Sequence, residues 1–442
     1  MTPASATGRR TRPSAAVVVT GTEVLTGRVP DANGPWLAER LLDLGVEIGT
    51  VTIVGDRRAD LVEALRHLTA RHDLVITSGG LGPTADDLTA EIVGEVQGRA
   101  LRHDAALEQQ IAEIVDGLMA KRGWERDTDE VRAGTRKQAQ VPEGASVLAP
   151  VGTAPGLVVP PAAGDGPPIL VLPGPPRELQ GMWDDAVADP HVRRVLADGG
   201  DLVQRTVRIW GPPEAQLAGL LRDHEAAVGP DRLARLEITT CLRDGELEVV
   251  TRFARGDVDV HDELVAALEE RFGEQVFSPR GESVDEIVAD ALRGAGATLA
   301  TAESCTAGLL AGRIADVPGS SAYLLGGFVT YANEAKTVEV GVPARLLETH
   351  GAVSREVAEA MAQGARERLG TTYGISTTGV AGPGGGTAAK PVGRVHVALA
   401  GPDGVRHHQL DLPGDRAFIR ARTVTVCLHL LREELGRDRT VG

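Results

Sequence analysis

The 442-residue sequence predicts an α/β protein with two α/β domains joined by a small α+β module. Three observations lead there. Apolar runs of strand length alternate with amphipathic helical stretches toward both ends of the chain. Glycine-rich segments follow several of those runs. The middle, from Leu202 to Pro279, changes to short alternating strands. The expected division is a disordered tail at 1–14, a first domain at 15–190, the linking module at 191–280 and a last domain at 281–442.

In the first domain, Ala15 to Thr20 is expected as a strand and Asp31 to Leu44 as a helix capped by Asp31. Val46 to Val54 follows as a strand, Arg57 to Arg71 as a helix, and Leu74 to Thr77 as a buried strand. Such alternation argues a parallel sheet covered on both faces, with ligands at the carboxyl ends of its strands. The segment after Leu74–Thr77 is SGGLGPTADDLT. Gly79, Gly80 and Gly82 let backbone N–H groups close on a phosphate beside Thr84, and Asp86 and Asp87 offer carboxylates to a divalent cation. PPAAGDGPP reads as a turn between two strands, and Pro175-Pro176 opens a helix from Arg177 to Val187. In the module, Leu233 to Thr240 reads as a strand, and His224 and His261 as solvated helix residues.

The last domain begins with an amphipathic helix within Gly281 to Gly296 and centres on TAESCTAGLLAGRIADVPGSSAYLLGGFVTYANEAKT. An apolar run ends at Glu303-Ser304-Cys305 and gives way to a helix expected from about Thr306. That junction offers Ser304 the free N–H groups and positive dipole end of the helix. A second run, Leu324 to Tyr331, leads to Asn333, read as an N-cap, and puts Lys336 in the first turn of a helix. There the dipole disfavours the ammonium form, so Ser304 with Lys336 is a candidate nucleophile–base dyad. Ser320, Ser321 and Tyr331 are expected to bridge the two by hydrogen bonds. Thr306, Gly308 and the loop with Thr378, Gly379, Gly382 and Gly384 would shape a nucleotide pocket. Arg416 and Arg420, one turn apart, would hold a phosphate. Cys305 is the rival nucleophile; it lacks an obvious histidine base, since His350 precedes a loop glycine and His396 lies mid-strand.

Composition narrows the partners. With 46 basic against 62 acidic residues the chain carries a net charge of −16, which argues against direct nucleic-acid binding. Three dispersed cysteines fit a reducing cytoplasm, and no stretch is long and apolar enough for a membrane span. A homodimer is expected.

The segments ESCTAG, VPGSSAYLLGGFVTYANEAK, HGAVSREVAEAMA, TTGVAGPGGGT and KPVGRVHVAL resemble, in that order, the C-terminal domain of the CinA (competence/damage-inducible protein A) family. Ala307 stands where a second glycine is common and Ala332 where serine is common. GTEVLTG, DANGPWLA, VGDR, DLVITSGGLGPTADDLT, GTAPG and LPGPPREL resemble that family's N-terminal domain, which is similar to molybdopterin-binding domains. The resemblance implies a nicotinamide mononucleotide deamidase that needs no cofactor, yielding nicotinic acid mononucleotide and ammonia. It also implies a metal-dependent ADP-ribose pyrophosphatase at the N-terminal site and a KH-like linking domain. The family's name supplies the alternative, a non-catalytic scaffold in competence or the DNA-damage response.

Overall fold

The computed structural model describes residues 12–123, 128–164, 166–197 and 199–440, with side chains to residue 437. Most of the tail expected at 1–14 lies outside the described residues, and Ser14 already belongs to the first strand. Contacts divide the chain into two units, one ending at Gln204 with Phe253–Gly256 added, the other comprising Arg205–Arg252 and Asp257–Gly442.

In the first unit the strands are β1 (Ser14–Thr20), β2 (Glu47–Val54), β3 (Leu74–Ser78), β4 (Leu101–His103), β5 (Gln140–Pro142), β6 (Ser146–Leu148), β7 (Gly156–Val159) and β8 (Ile169–Leu172). Six of them form a sheet ordered β2-β1-β3-β8-β7-β6, while β4 and β5 pair separately. The alternation of β1 explains why every residue in it is apolar or small. Ala15, Val17 and Val19 pack with Leu37 and Leu41 on one face, and Ala16 and Val18 pack with Leu65 and Ile92 on the other. The expected all-parallel sheet is corrected at one edge: β7 runs antiparallel to both β8 and β6. The short PPAAGDGPP turn dictates this, because a parallel return needs a longer crossover. Asp31 does cap the first long helix, accepting from the N–H groups of Asn33 and Gly34 at 2.9 Å each. The helix expected at 177–187 is two, Pro176–Gly181 and Trp183–Ala188, meeting at Met182.

Four further strands, β9 (Leu202–Trp210), β10 (Glu237–Arg243), β11 (Glu246–Ala254) and β12 (Val276–Ser278), form a sheet ordered β10-β11-β9-β12. Leu233 ends a helical turn instead of opening the strand. His261 is buried, not solvated, with its Nδ1 2.9 Å from the Thr251 hydroxyl. A histidine on an apolar helix face finds a partner inside when a strand threonine faces it.

The last sheet comprises β13 (Leu299–Glu303), β14 (Leu324–Val329), β15 (Tyr373–Gly379), β16 (Arg394–Gly401) and β17 (Gly404–Asp411), ordered β14-β13-β15-β16-β17. β14, β13 and β15 are parallel; β16 and β17 return antiparallel. Helices Val284–Ala295 and Arg416–Thr440 cover the face that carries Leu299, and helix Arg355–Leu369 covers the face of Ala300 and Ala302. The latter helix sits very close, through a layer of Ala358, Ala362, Ala398 and Ala400. At Gly364, in that helix, an added Cβ would overlap the Val340 carbonyl. Helix propensity alone favours Gly364→Ala by about 1 kcal/mol, whereas overpacking against fixed backbone costs about 1–3 kcal/mol or more. The second effect wins here. Gly364→Ala should therefore lower stability by about 2 kcal/mol in chemical denaturation; a variant at least as stable as the parent would contradict the close approach.

Candidate functional site

β13 carries the apolar run Leu299 to Ala302 inward and releases the chain at Ser304, at the carboxyl end of the sheet. β14 lies beside it in parallel, so its carboxyl end delivers Thr330, Tyr331 and the helix Asn333–Val340 to the same place. Two segments some thirty residues apart thus meet. The Lys336 Nζ lies 3.1 Å from the Ser304 Oγ, 2.7 Å from the Thr330 carbonyl and 3.3 Å from the Tyr331 carbonyl. Lys336 is 1 % exposed. Burial pushes its amine below the usual lysine range, the nearby Cys305 opposing slightly. The helix dipole expected from sequence is a lesser matter than this desolvation. Asn333 is not the cap; it is the first helical residue, preceded by Ala332 without a side-chain cap.

A neutral amine has two N–H donors and one lone pair. The three oxygens around Nζ would each accept from an ammonium; in the neutral form the two carbonyls match the two donors and the lone pair is left for the Ser304 hydroxyl to donate into. Ser304 is half-buried, so its oxygen remains reachable. Cys305, by contrast, is 5 % exposed, and burial pushes its thiol up to about 11. His396 is 2.9 Å from the His407 ring and pushed down to about 4 by burial. His350 faces Glu356.

The turn after Ser304 is built differently from expectation. The helix begins at Leu309, not near Thr306, with Gly308 at φ 93° before it. Its leading N–H groups are already taken: the buried Glu303 carboxylate accepts from Gly308, Leu310 and Ala311 at 2.9, 3.0 and 2.9 Å. The remaining donors are those of the turn itself: the N–H groups of Cys305, Thr306 and Ala307 donate to no oxygen of the described residues, the first two approaching the Cys305 sulfur. Arg420 aims them. It donates from Nε to the Cys305 carbonyl at 3.0 Å and from Nη2 to the Thr306 carbonyl at 2.8 Å. In a trans peptide the N–H points opposite to its carbonyl, so the Thr306 and Ala307 donors face away from Arg420. Ala307 sits at φ 51°, a conformation that suits glycine, which accounts for the glycine common at this position.

Several expected roles change accordingly. Ser320 and Ser321 precede β14 and lie at its amino-terminal end, whereas Ser304 lies at the carboxyl end of the neighbouring strand. Six strand residues, roughly 20 Å, separate them from the dyad, and Ser320 reaches the Ala315 carbonyl instead. Tyr331 touches Lys336 through its carbonyl; its ring is 58 % exposed and its hydroxyl accepts from Arg416 at 2.9 Å. Arg416 also donates to the Gly382 carbonyl at 2.9 Å, joining Tyr331 to the glycine loop. Thr306 is buried on Thr377, their hydroxyls 2.7 Å apart, and Thr378 donates to Ala352 at 2.8 Å, so both are supports rather than ligand contacts. Gly379 is needed because a Cβ would meet the Arg394 carbonyl and Val395. Gly384 is exposed in the loop with open space at its Cα. Sequence reasoning missed Glu303, Thr330 and Thr377. Only Glu303 carried a signal, a carboxylate placed just ahead of an uncapped helix start.

In the first unit, Gly79, Gly80, Gly82, Asp86 and Asp87 line a cavity of about 350 Å³ with Glu23, Asp56 and Glu178. Gly79 and Gly80 have φ 106° and 67°. The N–H groups of Gly80, Leu81 and Gly82 donate to no described residue. Asp86 and Asp87 each lie 2.5 Å from the Thr84 hydroxyl, whose one proton they share, and that hydrogen bonding holds the Asp86 carboxyl below its usual range. Burial raises Glu178. No three acidic, histidine or cysteine side chains among the described residues converge as a metal cage. The donor set fits a hard cation held by one or two carboxylates together with ligand phosphates.

Residues 281–435 match the family model "CinA C-terminal domain", and residues 16–194 match "Probable molybdopterin binding domain". A "CinA-like protein" of Mycolicibacterium vanbaalenii is 55% identical over 424 residues, covering 95% of this chain and 98% of the relative. One of Mycobacterium tuberculosis is 51% identical over 426 residues, covering 96% and 97%. Among solved structures, the competence/damage inducible protein CihA from Agrobacterium tumefaciens is 42% identical, covering 35% of this chain and 95% of its own, with a TM-score of 0.33. This chain belongs to the family of CinA-like proteins, with a molybdopterin-binding-type α/β domain followed by a CinA C-terminal domain.

Proposed function

We propose that the C-terminal domain hydrolyses the carboxamide of nicotinamide mononucleotide, giving nicotinic acid mononucleotide and ammonia. The observation that carries this reading is the desolvated Lys336 amine 3.1 Å from the Ser304 hydroxyl. The choice of substrate rests on the family resemblance. In the reaction Ser304 Oγ attacks the amide carbon as its proton passes to Lys336, and the carbonyl electrons move to oxygen. The Thr306 and Ala307 N–H groups stabilise that oxyanion. Collapse breaks the C–N bond, Lys336 returns the proton to the departing nitrogen, and ammonia leaves. Water then gives a proton to the same amine and adds to the ester carbon; collapse breaks the bond to Ser304 Oγ, and Lys336 returns the proton to that oxygen. Arg416 fixes the glycine loop over the nucleotide and keeps its remaining N–H groups for the phosphate; Arg420 acts as a positioning residue.

At the N-terminal site we propose metal-dependent hydrolysis of ADP-ribose, with the Gly80–Gly82 donors on the pyrophosphate and Asp86 and Asp87 sharing a divalent cation with it. Such a cation would neutralise the phosphate oxygens and polarise the scissile bond. The absence of any helix long and apolar enough to cross a membrane among the described residues, with three free cysteines, supports a cytoplasmic setting. The exposed edge residues Leu325 and Val329 of β14 support a homodimer.

Ser304→Ala should cut ammonia release from nicotinamide mononucleotide by at least about 10³-fold, while Cys305→Ala keeps it within a few-fold; the reverse would move the chemistry to the thiol. Turnover requires the neutral amine, so kcat/KM should fall as pH drops through the pKa of Lys336. That ascending limb should lie below the usual lysine value of about 10.4, and a pH-independent rate would contradict Lys336 as base. Asp87→Ala should abolish divalent-dependent ADP-ribose hydrolysis and spare deamidation, as measured by phosphate-ester and ammonia assays on one sample; joint loss would contradict separate sites.

A further inference from the structure

At the opposite end of the first unit's sheet from the glycine loop lies a cavity of about 1690 Å³. Its position follows from the strand starts that line it: Ser14 begins β1, Asp73 precedes β3 and Pro168 precedes β8. The seven residues of β1 separate the two ends by roughly 20 Å, so one small ligand cannot occupy both places.

The lining is basic in a chain whose net charge is −16. Arg12, His67, Arg71, His191 and Arg194 all face the cavity, and no hydrogen bond or ion pair engages their side chains among the described residues. Two other arginines of the same unit, by contrast, are paired: Arg58 spans Glu91 and Glu95, and Arg66, next to His67, reaches Glu95. Arg99, also in the lining, donates to the carbonyls of Pro160, Glu143 and Pro161 and so forms a fixed wall. Among the described lining residues the one carboxylate is Asp73, and it is occupied by the Ser14 N–H at 2.8 Å and the Ser14 hydroxyl at 3.1 Å. Three guanidiniums therefore look into one recess in which, among the described residues, Asp73 is the single carboxylate and forms no ion pair with them. Guanidinium forks suit phosphate oxygens, and the recess exceeds the roughly 300–1,000 Å³ usual for a drug-sized ligand. A single phosphate would leave most of it, and most of its charge, unmatched.

We propose that this cavity binds a small molecule bearing a run of phosphates, at a site separate from the one at the glycine loop. Arg71 and Arg194 hold successive phosphates, and Arg12, His67 and His191 supply further donors at the rim. The inference does not rest on either proposed activity.

The test is calorimetric titration of the full chain with inorganic tripolyphosphate and with ATP, in parallel. Tripolyphosphate should bind, and its affinity should fall steeply between about 50 and 200 mM salt. Arg71→Gln/Arg194→Gln should weaken it on the order of 30-fold or more, with circular dichroism and melting midpoint unchanged. Equal affinity for the two probes assigns the site to the phosphate chain; tighter ATP assigns it to a nucleoside polyphosphate. Absence of tripolyphosphate binding overturns the proposal, as does binding that the double variant leaves intact. So does a single-stranded oligonucleotide that binds more tightly than tripolyphosphate through the same two arginines, because the surface would then serve nucleic acid.

Discussion

The C-terminal site depends on one constraint: an amine buried where no carboxylate can balance it. Lys336 is held by two backbone carbonyls and a hydroxyl, and no ion pair involving it is present among the described residues. An ammonium in that setting would be desolvated without an ion-pair partner among the described residues, so burial lowers the pKa and favours the neutral form. The same neutrality makes the group a base. The fold meets this constraint through strand parity: parallel β13 and β14 end side by side, and each releases one partner of the pair.

Around the dyad, two charged side chains set the backbone instead of touching a substrate. Glu303, at the end of β13, absorbs the leading N–H groups of the following helix. Without it, those three donors and the helix dipole would compete for any anion bound at the turn. Arg420 pulls the turn carbonyls the other way and leaves the Thr306 and Ala307 donors directed outward. In the proposed reaction, anion stabilisation is thereby concentrated in two peptides beside Ser304 rather than spread along the helix start. Arg416 performs a similar service for the glycine loop by tying Gly382 to Tyr331.

Much of this was legible in the residues. Alternating apolar runs revealed both α/β domains, and a serine at a strand end with a lysine after the next strand located the pair. What stayed hidden was direction and depth. Nothing in SSAY says that Ser320 and Ser321 enter their strand from the far end; only the parallel register of β14 with β13 reveals it. Arg420 reads as a phosphate holder one turn from Arg416, yet its guanidinium donates to the Cys305 and Thr306 carbonyls. His261 shows the same limit, since a polar residue on a helix face is buried or bare according to what the opposing strand offers. Glu303 could have been read as a cap, but its carboxylate reaches back from a strand, outside the usual capping spacings.

The protonation state of Lys336 tests the account most directly. The chain has four lysines, Lys121, Lys137, Lys336 and Lys390, so ¹³C-labelled lysine gives a spectrum in which each side-chain Cε can be assigned by substitution. The Cε resonance of Lys336 should pass to its neutral-amine position at a pH below the usual lysine value of about 10.4. A Lys336 resonance that titrates at or above that value would mean that burial does not favour the neutral amine, and the proposed mechanism would fail.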